Sequence, residues 1–284
     1  MSGDVLLEAT GLCKSYPTGR NLLGRPTGHH QAVKDVDIRL AKGETLAVVG
    51  ESGAGKSTVG RMVLRLIEPD AGQVHLDGVD VLALGRKDLR ALRKRMQMIF
   101  QDPFGSLDPR MVIEDAVGEP LTVHFGMQGA ERRRRVLELL DRVGIGEHQA
   151  ERYPHEFSGG QLQRIAIARA LAVEPDLIVC DEPVAALDVS IRAQVINLLH
   201  DLQQERGVAY IFISHDLSLV RLIADRVAVM YKGEIVEEGD TAALFEDPQH
   251  PYTRTLLDAI PVADPRRREE RRAAARRAAE VAPS

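Results

Sequence analysis

The run Gly50-Glu51-Ser52-Gly53-Ala54-Gly55-Lys56-Ser57-Thr58 restricts what this chain can fold into more than any other stretch. Its glycines leave backbone N–H groups free to point inward around an anion, because no side chain blocks the approach. Thr45 to Val49, immediately before it, is a short apolar run of the kind found in strands covered on both faces. Immediately after it, the spacing predicts a helix running through Met62 and Leu66. Strand, glycine-rich turn and helix start together make a phosphate-binding loop, since the unpaired N–H groups and dipole of a helix N-terminus favour anions. Lys56 is placed to neutralise β- and γ-phosphates, and the Ser57 hydroxyl to meet Mg²⁺. A chance Gly/Ser-rich turn has no reason to sit between a buried strand and a helix.

The rest of the chain supplies an α/β setting for that loop. Val5 to Tyr16 reads as a short strand and turn, and the Gly-, Pro- and His-rich stretch from Asn21 to Gln31 as a loop. Val36, Ile38 and Leu40 alternate with Asp37 and Arg39, which predicts a half-buried antiparallel strand. Gln73 to Leu76, followed by Asp77-Gly78, reads as a hairpin arm. Helices are predicted over Glu131 to Val143 and Gly159 to Ala172, and a third where Ile191, Val195, Leu198, Leu199 and Leu202 share one face. Leu177 to Cys180, Tyr210 to Ser214 and Val227 to Tyr231 are further buried strands. Strands alternating with helices imply a parallel sheet.

Composition removes several function classes. With a net charge of −5, 4% aromatic residues and no Trp, the chain lacks the basic, stacking surface of a nucleic-acid binder, so no nucleic-acid partner is expected. Cys13 and Cys180, its two cysteines, make neither a disulfide framework nor a metal cage and fit a reducing compartment. The N-terminal stretch reads as no signal peptide, and no stretch approaches the roughly 20 apolar residues of a membrane span, so a membrane role has to come through a partner. From Pro265 onward the chain is Arg, Glu and Ala with nothing to bury, which predicts a solvated, charged tail over 265–284.

Two more strand ends carry chemistry. Leu177-Ile178-Val179-Cys180-Asp181-Glu182 is an apolar strand closing in two acids. At the carboxyl end of a parallel strand such acids face the ligand crevice. Asp181 is placed to hold Mg²⁺, and Glu182, one residue on, to act as general base toward a water, a role that contributes about 10²–10⁴ in rate. Phe212-Ile213-Ser214-His215 ends another strand, which brings His215 to the same crevice.

Phe157-Ser158-Gly159-Gly160-Gln161 resembles the signature sequence of ABC ATPases and opens a helix, a second anion-binding helix end besides the phosphate loop. The other marks of that family stand in order. Tyr16 resembles the aromatic that stacks on adenine, Gln101 the Q-loop glutamine that senses Mg²⁺, Ala186-Leu187-Asp188 the D-loop that crosses the dimer interface, and His215 the switch histidine. The resemblance runs from about Leu6 to Pro261. Within the family, His250-Pro251-Tyr252-Thr253-Arg254 with Leu256, Leu257 and Ile260-Pro261 is similar to the C-terminal extension of oligopeptide and dipeptide (and nickel) importers. Phe100-Gln101-Asp102-Pro103 and Asp181-Glu182-Pro183-Val184 fit the same group, and Lys56 to Arg61 with the Asn21 to Gln31 loop resembles its second, F-type ATPase subunit. Ala185 stands where that group commonly has Ser, and the absence of cysteine after Cys180 leaves no iron–sulfur centre in the extension.

The resemblance implies a phosphate-loop NTPase (RecA-like) core with an antiparallel β subdomain and an inserted helical subdomain, the ABC ATPase fold. It implies a nucleotide-binding domain over 1–245 with its helical part at about 103–172, an importer-type extension over 246–264, and the charged tail. The cofactors implied are ATP and Mg²⁺, the metal meeting Ser57, Gln101 and Asp181. Each ATP would lie between Gly50–Thr58 of one subunit and Ser158, Gly159, Gly160 and Gln161 of another, with Asp188 at the junction. Glu182 and His215 would be the catalytic pair. The partners implied are a second ABC ATPase subunit, in a homo- or heterodimer, two membrane permeases, and indirectly an extracytoplasmic binding protein. The chain would work at the cytoplasmic face of the membrane, energising uptake of peptides, with nickel or another small solute as the alternative. A non-transport ABC ATPase is the lesser reading. The span from Lys56 to Ser158 has neither sustained heptads nor cysteine, and the chain carries one set of motifs where translation-linked relatives carry two.

Overall fold

A computed structural model of the chain describes residues 4–20, 26–185 and 187–259. In chain order the elements are β1 (Val5–Arg20), β2 (Pro26–Ala41), β3 (Thr45–Val49), α1 (Lys56–Val63), β4 (Ala71–Leu76), β5 (Val79–Asp80), α2 (Arg86–Leu92), β6 (Met96–Ile99), α3 (Ile113–Phe125) and α4 (Gly129–Arg142). They continue as α5 (Gly159–Leu171), β7 (Leu177–Asp181), α6 (Val189–Arg206), β8 (Ala209–Ser214), α7 (Leu217–Ile223), β9 (Arg226–Tyr231), β10 (Glu234–Asp240), α8 (Thr241–Glu246) and α9 (Pro251–Asp258).

The apolar runs lie side by side. β10-β9-β3-β8-β7-β6 form one sheet, parallel throughout except for the antiparallel edge pair β9/β10. Every residue of β3, β7 and β8 is buried, as both-face cover requires. Alternation sorts their side chains. Leu46 and Val48, Leu177 and Val179, and Ala209, Ile211 and Ile213 go to one core with Val59, Met62 and Val63 of α1. Ile178 and Cys180 with Tyr210 and Phe212 go to the opposite core, against α5 and α6. Ala47 and Val49 join Leu217, Leu244 and Leu257 of α7, α8 and α9 on that far side. A second sheet, β2-β1-β4-β5, is antiparallel. Its Leu7, Ile38, Leu40 and Val74 join the α1 core, so one apolar layer fastens the two sheets together.

Between β6 and β7 the chain leaves the sheet for α3, α4 and α5, which close on Ile113, Val117, Val136, Leu140 and Ile165. Pro120 stands inside α3. Having no N–H, it leaves the Ala116 carbonyl without its helical donor. Arg169 of α5 donates its Nε to that oxygen at 3.2 Å and its Nη2 to Glu119 at 2.8 Å, so the defect becomes a helix–helix fastening.

Local reading erred at three places. β1 continues to Arg20, past the short strand and turn expected over Val5 to Tyr16, and β2 begins at Pro26, inside the stretch read as a loop. Cross-strand pairs such as Tyr16 with His30 and Thr18 with Gly28 outweigh the local Gly and Pro signals, and a first-residue Pro removes no interior ladder bond. Residues 21–25 lie outside the described residues, as do Ala186 and the segment from Ile260 on, which holds the end of the extension and the charged tail. Finally, α1 stops at Val63, short of Leu66. Arg65 takes a left-handed backbone (φ 48°) and donates to the Val81 and Leu84 carbonyls at 3.0 and 2.7 Å. Tertiary partners thus end the helix where periodicity alone does not.

Candidate functional site

The carboxyl ends of β3, β6, β7 and β8 open on one edge of the parallel sheet, the edge where open α/β sheets bind ligands. A cleft there is lined by Ala32, Ser52, Gly53, Gly55, Lys56, Ser57, Thr58, Gln101, Glu182 and His215. Its floor is the loop from β3 into α1. A Cβ on Gly50 would stand 2.1 Å from the Met230 carbonyl oxygen, and one on Gly55 would stand 2.3 Å from that of Ala32. Both positions also have positive φ, 148° and 106°, so only glycine lets the loop pass between β9 and β2. Gly55 precedes α1 without a side-chain cap, and the first turn carries no acid. The helix N-terminus is therefore open to an anion.

Lys56 is buried and donates Nζ to the Gly50 and Glu51 carbonyls, each at 2.8 Å. Burial holds its ammonium below the usual lysine value, against the opposing charges of Glu182, Asp181 and Glu51. Ser57 donates its hydroxyl to Asp181 Oδ1 at 2.6 Å, and Arg61 Nη2 lies 3.7 Å from Oδ2. Ser57 and Asp181 thus offer a hydroxyl and a carboxylate side by side, the hard oxygen set that suits Mg²⁺. Among the described residues no group of three His, Cys, Asp or Glu residues could hold a metal without further ligands.

Glu182 follows β7 with φ 49°, a left-handed backbone uncommon outside glycine, and its N–H bonds the Ile213 carbonyl at 3.0 Å. That kink holds its carboxylate between two neighbours. Gln101 donates Nε2 to Oε2 at 2.9 Å, and His215 Nδ1 lies 3.1 Å from Oε1. The loop bearing His215 is fixed in turn. Asp216 accepts from Ser218 and Leu219 at the start of α7, and Arg192 reaches both Asp216 Oδ2 (3.0 Å) and the Leu187 carbonyl (3.3 Å).

The residues singled out in the sequence fall into two groups. Ser52, Gly53, Gly55, Lys56, Ser57, Thr58, Gln101, Glu182 and His215 line the cleft, with Gly50, Glu51, Ala54 and Asp181 in contiguous backbone or direct contact. Ser158, Gly159, Gly160, Gln161 and Asp188 do not line it. Ser158 caps α5, accepting from Gln161 N–H at 3.3 Å while its own N–H bonds Gln161 Oε1 at 3.0 Å. Asp188 caps α6 through Ile191 N–H at 2.9 Å. Tyr16 is on β1 opposite His30 and is not part of the lining either. The sequence reading missed Arg192, which ties the Leu187 and Asp216 loops together. It also missed the role of Tyr252, whose hydroxyl accepts the Glu51 N–H at 3.0 Å. Tyr252 was visible only as part of the His-Pro-Tyr-Thr-Arg run, and Arg192 only as one polar residue among many on the helix that follows Asp188.

Comparison with known proteins shows what the chain as a whole is similar to. The family described as ABC transporter matches residues 33–185, and that described as oligopeptide/dipeptide transporter, C-terminal region, matches 236–283. The glutathione import ATP-binding protein GsiA of Escherichia coli K12 is 53% identical over 272 residues, and that of Salmonella paratyphi A 52%. Each alignment covers 96% of this chain but only 44% of the relative, so the chain spans less than half the length of these curated proteins. The dimeric ATP-binding cassette MJ0796, solved in a post-hydrolysis state bound to ADP and Pi, superposes with a TM-score of 0.75 at 31% identity, covering 83% of this chain and 99% of that one. cbiO1 from Clostridium perfringens, part of the ABC transporter complex cbiONQ, gives 0.72 at 30% identity, covering 86% and 92%.

Proposed function

This chain belongs to the ABC transporter family of ATP-binding proteins, and on that premise we propose that it is the ATP-hydrolysing subunit of an importer that takes up small peptides. The observation that carries the hydrolytic part is the Glu182 carboxylate, held between Gln101 and His215 at the mouth of the phosphate loop. The glutathione importers' 53% identity and the matched oligopeptide/dipeptide C-terminal region support peptide uptake, with glutathione, a tripeptide, the first substrate to try.

The loop N–H groups from Gly53 to Thr58 and the open start of α1 bind the β- and γ-phosphates, and Lys56 exchanges its two carbonyl partners for phosphate oxygen. Ser57 and Asp181, with Gln101, would hold Mg²⁺, which when bound would neutralise charge on the phosphates. Glu182 takes a proton from the attacking water as its oxygen adds to the γ-phosphorus and the bond to the β–γ bridging oxygen breaks. Its share of the rate, about 10²–10⁴, is roughly 3–5.5 kcal/mol of barrier. His215, whose Nδ1 lies 3.1 Å from the same carboxylate, keeps the base aimed and would face the γ-phosphate. The Ser158–Gln161 helix end, outside this chain's own cleft, completes the site of a second ATPase subunit. Closure of the two moves a pair of permeases at the cytoplasmic face, fed from outside by a binding protein.

Size-exclusion chromatography of Glu182→Gln with and without MgATP tests this reading. The variant is expected to bind ATP, hydrolyse it at least about 100-fold more slowly than wild type, and shift to a dimer with itself or with a co-expressed second ATPase. Hydrolysis at the wild-type rate would remove Glu182 from the mechanism.

A further inference from the structure

The segment after β10 does more than cover the sheet. Glu237 of β10 accepts the Gln249 and His250 N–H groups at 2.7 and 2.9 Å, which sets the entry to α9. His250 then caps the helix through the Tyr252 N–H at 3.2 Å, and Leu257 is buried among Val49, Val227 and Val229. α9 therefore shares an apolar cluster with β3, the strand that delivers the phosphate loop. From its first turn the Tyr252 ring lies against Tyr231, centroids 4.1 Å apart, and its hydroxyl accepts the Glu51 N–H at 3.0 Å.

That N–H belongs to the Gly50–Glu51 peptide, whose carbonyl is held by Lys56 Nζ at 2.8 Å. One peptide plane is thus gripped at both ends, by Lys56 on the oxygen and Tyr252 on the nitrogen. Its orientation matters because Gly50 sits at φ 148° with β9 in contact behind it. Once Lys56 turns to a phosphate the carbonyl grip is released, and the Tyr252 hydroxyl is the side-chain bond that still fixes the plane. Burial pushes the Tyr252 phenol upward, so it stays protonated and uncharged beside the loop near neutral pH.

We infer that Tyr252 is a positioning residue for the phosphate loop, through which the C-terminal segment sets the affinity of the nucleotide site. The inference rests on the nucleotide-binding reading above. Because coupling is reciprocal, MgATP should also steady α9, and whatever displaces α9 should weaken nucleotide binding.

Tyr252→Phe in the full chain keeps the ring against Tyr231 and removes only the hydroxyl. Three readouts apply: amide exchange of the loop peptide containing Glu51 without nucleotide, equilibrium binding of a fluorescent ATP analogue with Mg²⁺, and the split between KM and kcat. The expected result is faster exchange at Glu51, affinity weaker by about 3- to 10-fold as for one lost hydrogen bond, a matching rise in KM, and kcat within about twofold. Tyr252→Ala, which also removes the ring contact, should go further in the same direction. Wild-type affinity in Tyr252→Phe overturns the proposal, whether or not exchange changes. Failure of the wild-type chain itself to bind the analogue instead refutes the nucleotide reading, and the exchange measurement still reports on the Tyr252–Glu51 bond.

Discussion

Replacing Gly55 by alanine, with Gly53→Ala as its control, separates two costs in the phosphate loop. Both glycines have positive φ, 106° and 83°. An L-residue forced into a left-handed backbone costs roughly 1–2 kcal/mol. At Gly53 that is the whole cost, because an added Cβ meets nothing within 4 Å. At Gly55 the same Cβ stands 2.3 Å from the Ala32 carbonyl oxygen and 2.7 Å from Met230 Cε. The methionine end can swing away, but the Ala32 oxygen is backbone of β2. Overpacking of this kind adds about 1–3 kcal/mol, for roughly 2–5 kcal/mol in all. The difference between the variants is then the clash alone, about 1–3 kcal/mol or roughly 5- to 150-fold in the folding equilibrium. Urea unfolding of nucleotide-free protein, comparing midpoints at equal slope, reads it directly. If Gly53→Ala is as destabilising as Gly55→Ala, the close approach of β2 does not set the glycine requirement and the reasoning fails.

Lys56 gives a pH prediction with two signs. Its ammonium is held below the ordinary lysine value by burial, so between the folded and unfolded values the unfolded chain binds more protons and stability rises with pH across that window. MgATP affinity moves the other way, falling as pH climbs through the lowered value and the amine discharges. Nucleotide titrations at rising pH should show this decline, and Lys56→Arg, weaker at every pH, should lack it because guanidinium stays charged. Ser158→Ala should cost about 0.5–2 kcal/mol of cap stability, visible as a small shift in the unfolding midpoint. In the Glu182→Gln background it should also abolish MgATP-driven pairing; pairing that survives would limit Ser158 to capping α5.

What was legible in the sequence was the chemistry that depends on neighbours along the chain. Thr45–Val49, Leu177–Cys180 and Tyr210–Ser214 announce buried strands by continuous apolar character, and Asp181, Glu182 and His215 follow from standing at their ends. What was not legible depends on partners far away. The β1/β2 hairpin overrides Gly and Pro signals through cross-strand bonds, and Pro120 survives inside α3 because Arg169, from another helix, takes the orphaned carbonyl. The Tyr252 grip on Glu51 joins residues 201 positions apart. No periodicity or motif spacing encodes such a contact, which arises from the seating of α9 through Leu257 and the Tyr231–Tyr252 ring contact. Glu182 lies between these cases. Its place was predictable, but the left-handed turn that aims it between Gln101 and His215 was not.

The capped start of α5 lies outside the cleft that holds the phosphate loop, and this separation has a kinetic consequence. On the proposed pairing, a lone chain carries two unmatched halves, and turnover needs a collision. In dilute solution, below the pairing constant, hydrolysis by identical chains should follow a second-order law, so halving the protein quarters the rate. A membrane scaffold that tethers two chains replaces that collision with a high effective concentration. The reaction then becomes first order in assembled complexes, and its speed no longer depends on how much free chain the cell contains.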